Sequence, residues 1–141
     1  LQEVDQRIRK YYFDDKEITD DSLQEVTNLE TDKLFLYNIV RYAKYHAQHN
    51  TAPVYLYKFT AETERNYYKK YYKMEGVLGV CHADELPYLF DVKCIDIPKP
   101  DKSKKIIENL VALWTNFAKT GNPTPTMDME PWQPFTEMAR N

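Results

Sequence analysis

The sequence predicts an α/β protein, mostly helical, with a strand near residues 53–59 that belongs to a larger central sheet. Three observations predict it. Pro53-Val54-Tyr55-Leu56-Tyr57-Lys58-Phe59 crowds β-branched and aromatic residues behind a turn-forming 50–53 segment. The run is apolar on both faces, with Val54, Leu56 and Lys58 on one and Tyr55, Tyr57 and Phe59 on the other, as suits a central strand covered by helices. Helical periodicities flank it on both sides and no second strand is legible, so its pairing partners are expected outside this chain or in another molecule.

Taken in order, Gln2 to Phe13 sets Val4, Ile8 and Tyr11 or Tyr12 at helical spacing, which predicts a helix with a narrow buried stripe. The Asp14-Asp15-Lys16-Glu17 run reads as a solvated connection. Thr19, Asp20 or Asp21 is placed to cap a second helix, with Leu23, Val26 and Leu29 on its apolar face. A third helix is expected over Lys33 to Gln48, packed deeply through Leu36, Ile39 or Val40, Ala43 and Ala47. From Glu64 to Met74, four tyrosines interleave with Arg65, Lys69, Lys70 and Lys73, which reads as an exposed amphipathic lid or loop. The strongest helix is Ser103 to Thr120, with a broad stripe running from Ile106 through Leu110 and Trp114 to Phe117. Lys119 suits the negative end of its dipole, and Gly121-Asn122-Pro123 is a stop signal. Pro123 to Pro134 then forms a proline-rich loop carrying Trp132.

Composition excludes several classes. At 141 residues the chain has room for one core, and a content of 43% hydrophobic and 14% aromatic residues excludes a disordered tail. No apolar run approaches the roughly 20 residues that span a bilayer. A net charge of -3 argues against a nucleic-acid partner, which calls for a positive excess. Cys81 and Cys94 are too few for a disulfide framework and lack zinc-ligand spacing; with no N-x-[ST] sequon they favour an intracellular setting. Cys94 reads as a partly buried loop thiol. The chain starts at Leu1 and its first methionine is Met74, so the protein's own N-terminus is expected elsewhere.

The chemistry concentrates in Gly79 to Phe90, G-V-C-H-A-D-E-L-P-Y-L-F, which sets His82 between a glycine-bearing loop and a short acidic, then apolar, segment. Imidazole titrates near neutrality, and loops on a rigid scaffold are where reacting groups are displayed, so His82 is a candidate base. Cys81 is set aside as a nucleophile because adjacent side chains point apart. His46 and His49 lie three apart near a helix end, but no third ligand supports a metal there; they read as a solvent-facing pair.

Four segments together resemble one family. P-V-Y-L-Y-K-F, the Gly79 to Phe90 stretch, L-W-T-N-F-A-K-T-G-N-P-T-P and W-Q-P-F are similar, in order and spacing, to the C-terminal part of type-B carboxylesterases, the cholinesterase-like branch of the α/β-hydrolase fold. The wording H-A-D-E-L most resembles the insect α-esterases. The resemblance implies that residues 1–141 are one incomplete domain, the C-terminal segment of a catalytic domain whose upstream part completes the fold. It makes His82 the triad histidine and Glu85 the supporting acid behind it. It implies small carboxylic esters as substrates and no cofactor or metal. The family order places serine and acid before the histidine, yet Ser22 and Ser103 are the only serines here and neither lies in G-x-S-x-G. The serine, the acid and the oxyanion hole are therefore expected upstream, and this chain alone is expected to be inactive. The alternative is a catalytically inactive relative that serves as a partner-binding or adhesion module.

Overall fold

A computed structural model describes residues 2–93, 96, 102–126 and 130–136, which group into two compact units, the first holding the residues up to Ala52 together with Thr136 and the second those within Pro53–Phe135. Cys94 lies outside the described residues.

The first unit is helical. Helix α1 spans Gln2–Phe13, with Glu3 and Asp5 in its first turn and Lys10 in its last, the charge order that the helix dipole favours. It ends where Asp14 and Asp15 both take left-handed backbone, at φ of 53° and 59°, a conformation that short polar side chains tolerate. A tight 3-10 turn, Asp20–Ser22, is closed by Thr19: its N–H donates to Ser22 Oγ at 3.1 Å, while the Ser22 N–H returns to the Thr19 carbonyl at 3.0 Å. Helix α2, Leu23–Thr31, follows directly and packs against α1.

No break separates α2 from α3, Tyr37–His49, although two helices were expected there. Asp32–Leu36 forms one π-helical turn between them, and Asp32, Leu36 and Tyr37 all keep right-handed helical backbone. The segment holds neither glycine nor proline, so nothing forces the helix to stop. Asp32 uses its carboxylate to accept the Tyr12 hydroxyl at 2.7 Å.

The expected burial of these helices is only partly met. Phe13 and Ala43 are buried, but Val4, Ile8 and Tyr11 on α1, and Leu36 and Ile39 before and within α3, are exposed. The periodicities are present; the surfaces that would cover them are not among the described residues of this unit.

The second unit begins with Pro53–Phe59, where the expected strand is not formed. Among the described residues there is no strand, because a strand needs a hydrogen-bonded neighbour to form a ladder. The alternation of faces survives. Tyr55 meets Phe117 and Trp132 edge-on with ring centroids 5.9 and 6.1 Å apart, and Tyr57 meets Trp114 and Trp132 at 6.2 and 5.8 Å. The Val54 carbonyl accepts the Phe135 N–H at 2.7 Å, which draws the Trp132 segment alongside.

Helix α4, Tyr67–Tyr71, is a single short turn with Tyr71 and Tyr72 exposed; helix α5 is Leu86–Leu89, and α6 is Lys104–Thr120. Pro87 sits in the first turn of α5, where its missing N–H costs no helical bond. Helix α6 ends at Gly121 in left-handed backbone with φ of 73°, and its N–H caps the Phe117 carbonyl at 2.8 Å. Helix α6 packs against α5, and Leu110 on its stripe is buried, while Trp114 and Phe117 remain about half exposed.

A polar network holds this unit's interior. Tyr88, 1% exposed, donates its hydroxyl to Asn66 Oδ1 at 3.0 Å and also reaches Thr63 Oγ1, which in turn lies 2.8 Å from Ser103 Oγ. Asn66 Nδ2 donates to the Ala61 carbonyl at 3.1 Å, and Arg65 donates to the Pro87 carbonyl at 2.8 Å. Buried polar atoms are tolerated only when bonded in this way. Three stretches far apart in sequence are thereby fastened together: the 61–66 loop, α5 and the start of α6.

Candidate active site

His82 occupies the second position of a four-residue turn, Cys81 to Asp84, and its side chain is exposed. The turn closes with the Asp84 N–H on the Cys81 carbonyl at 3.1 Å. Its third position, Ala83, has φ of 72°, in the left-handed region that turn chemistry normally gives to glycine. Glu85 follows as the residue preceding α5, and its carbonyl accepts the Tyr88 N–H at 3.0 Å. His82 and Glu85, the two residues singled out in the sequence, thus lie on the same short turn and helix start.

The acid with the densest set of bonds is Asp84. It is 0% exposed, and Oδ2 accepts the Cys81 N–H at 2.9 Å and Asn66 Nδ2 at 3.3 Å. Oδ1 accepts the Tyr68 N–H at 2.9 Å and the Lys69 N–H at 3.3 Å. Four N–H donors on one buried carboxylate replace the water it gave up. In sequence Asp84 stands out only as an acid two residues after a histidine. Three of its four donors come from residues 15 to 18 positions away.

The approach to the turn is fastened separately. Lys69 Nζ donates to Glu62 Oε2 at 2.6 Å and to the Gly79 carbonyl at 2.7 Å, while the Gly79 N–H donates to Glu62 Oε1 at 3.2 Å. Gly79 has φ of 95°, a backbone that only glycine adopts readily. The Lys69 ammonium holds the Glu62 carboxyl below its ordinary range. Cys81 is pushed the other way: burial, and then the Asp84 carboxylate, raise its thiol, so the protonated, poorly nucleophilic form is favoured.

His46 and His49, on α3, are engaged locally. His49 Nδ1 donates to the Tyr45 carbonyl at 2.8 Å, and His46 Nδ1 lies 2.8 Å from Asn50 Nδ2. Among the described residues no group of three or more His, Cys, Asp or Glu side chains is placed to hold a metal ion. Among them, too, no helix is long and apolar enough to cross a membrane.

An exposed histidine on a clamped turn, backed by acids and a short helix, suits proton transfer. The family model for the carboxylesterase family matches residues 1–141. This chain belongs to the carboxylesterase family. Membership implies an α/β-hydrolase fold, of which the described residues contribute mainly helices. Among carboxylesterase relatives, esterase FE4 of Myzus persicae is 29% identical over 134 residues, 94% of this chain and 24% of that protein. Bile salt-activated lipase of Homo sapiens is 32% identical over 117 residues, covering 79% of this chain and 14% of the lipase. Juvenile hormone esterase of Tribolium castaneum is 29% identical over 114 residues, 77% of this chain and 19% of that enzyme. The chain therefore spans about a quarter or less of the length of these relatives.

Proposed function

We propose that the protein carrying this chain is a serine carboxylester hydrolase and that His82 is its general acid/base. The observation that carries this reading is the exposed imidazole on the Cys81 to Asp84 turn, with family membership behind it. In the reaction, a serine hydroxyl attacks the ester carbonyl and passes its proton to His82, which then gives it to the departing alcohol. Water repeats the cycle on the acyl-enzyme. Glu85 supports the turn from its place just before α5.

The serine, the triad acid and the oxyanion hole belong to chain outside these 141 residues. Ser22 and Ser103 are the only serines present, neither lies in a G-x-S-x-G elbow, and Ser103 is 0% exposed. The same outside chain supplies the sheet neighbours that would turn residues 53–59 into a strand. Both compact units then belong to one catalytic domain. The substrates are small carboxylic esters, and the 141 residues alone turn none over.

The test is hydrolysis of a short-chain nitrophenyl ester by the full-length protein and its His82→Ala variant. The expected loss of kcat is on the order of 10⁵-fold with the fold intact. Equal turnover by the variant overturns the assignment, and no turnover by the unaltered protein favours an inactive, partner-binding relative.

A further inference from the structure

The geometry points to Asp84 as the positioning residue for His82, acting by setting the backbone of the turn that displays the imidazole. This inference rests on the proposed role of His82 and adds a device to it. The turn is closed twice: the Asp84 N–H reaches the Cys81 carbonyl at 3.1 Å, and Asp84 Oδ2 takes the Cys81 N–H at 2.9 Å. His82 and Ala83 are enclosed between these two bonds. Ala83 needs the closure, because its φ of 72° is disfavoured for alanine, which has a Cβ and no polar side chain to bond locally. Without the carboxylate, the turn is free to relax to a conformation that aims the imidazole elsewhere.

The other oxygen fixes the turn against its surroundings. Oδ1 accepts the Tyr68 N–H at 2.9 Å, and Asn66, which shares Oδ2, is itself tied to Tyr88 and the Ala61 carbonyl. The His82 backbone is thus referred to α4 and to the buried network. Catalytic groups must be held to roughly 0.5 Å, and a displacement of about 1 Å can cost on the order of 10²-fold in rate.

The substitution Asp84→Asn keeps the shape but leaves one acceptor oxygen for two sets of donors. In the full-length protein it is expected to lower kcat about 10²-fold with KM changed less than about threefold, since positioning rather than binding is lost. Adding Ala83→Gly is expected to restore at least tenfold of that loss, because glycine takes the left-handed conformation without the clamp. Should Asp84→Asn fail to fold, a backbone ester in place of the Cys81 amide removes the Oδ2 closure alone. It is expected to reproduce the kcat loss at a near-native melting temperature. Wild-type kcat in the ester variant, or in a folded Asp84→Asn, overturns the inference, as does a kcat loss that Ala83→Gly leaves untouched. Activity surviving His82→Ala would instead sink the proposed function itself.

Discussion

Lys69 and Glu62 form the ion pair that fastens the approach to His82, with Nζ 2.6 Å from Oε2, and they share the two backbone groups of Gly79 between them. Lys69 keeps only 12% of its side chain exposed, against 49% for Glu62, so the ammonium is the sheltered member. Because the folded state holds Glu62 below its ordinary 4.5, the clamp's contribution is full above that pH and fades as pH falls through the lowered value. The Gly79 amide, which donates to Glu62, is expected to lose hydrogen-exchange protection below pH 4.5, and Glu62→Gln to lose most of it at neutral pH. Protection unchanged in that variant would show that the loop is held by other contacts.

Tyr88→Phe tests the buried network. The hydroxyl it deletes bonds to Asn66 Oδ1 and Thr63 Oγ1 in a site 1% exposed, so both partners lose a bond where water has little access. Destabilisation of about 1–3 kcal/mol is expected by denaturant titration. A double-mutant cycle with Thr63→Val should give a coupling of at least about 0.5 kcal/mol, since the two residues share one network.

Tyr12 carries a pH dependence of the opposite sign. Its hydrogen bond to Asp32, with a smaller contribution from burial, raises the phenol from 10.0 to about 12. A raised value means that the stabilisation is complete below pH 10.0 and is lost as pH rises to about 12. Ultraviolet titration of the tyrosinates should therefore show a late-ionising phenol that Tyr12→Phe removes, and Asp32→Asn should bring it back toward its ordinary range.

Gly121→Ala isolates a backbone effect. Beyond the neighbouring residues in the chain, a Cβ at this position would meet open space, so the cost arises from the φ of 73°. About 1 kcal/mol of destabilisation is expected by the same denaturant titration.

How much of this was legible in the sequence follows from the range of the interactions. The spacing of Val4 and Ile8 predicted α1 at its observed limits, and Gly121-Asn122-Pro123 stopped α6 where its left-handed cap lies. The segment P-V-Y-L-Y-K-F predicted the shared face of Tyr55 and Tyr57 but not the absence of a ladder, because pairing depends on a neighbour that no local pattern supplies. Apolar stripes on α1 and α3 predicted which faces seek burial, though Ile8 and Ile39 remain exposed. The continuous α2–α3 backbone runs through a stretch with neither glycine nor proline, so the break expected before Lys33 had no stop signal behind it.

For the candidate site the division is the same. By itself the sequence determined the family, through four segments in the right order, and it singled out His82 and the acids behind it; local chain direction and residue chemistry suffice for that. Only the tertiary structure decided which acid is buried and bonded. Asp84 and Glu85 are neighbours in sequence, yet it is on the Asp84 carboxylate that the fold gathers the Asn66, Tyr68 and Lys69 donors. Those bonds join residues 15 to 18 positions apart, and a carboxylate's worth inside a protein is set by the donors that replace its water.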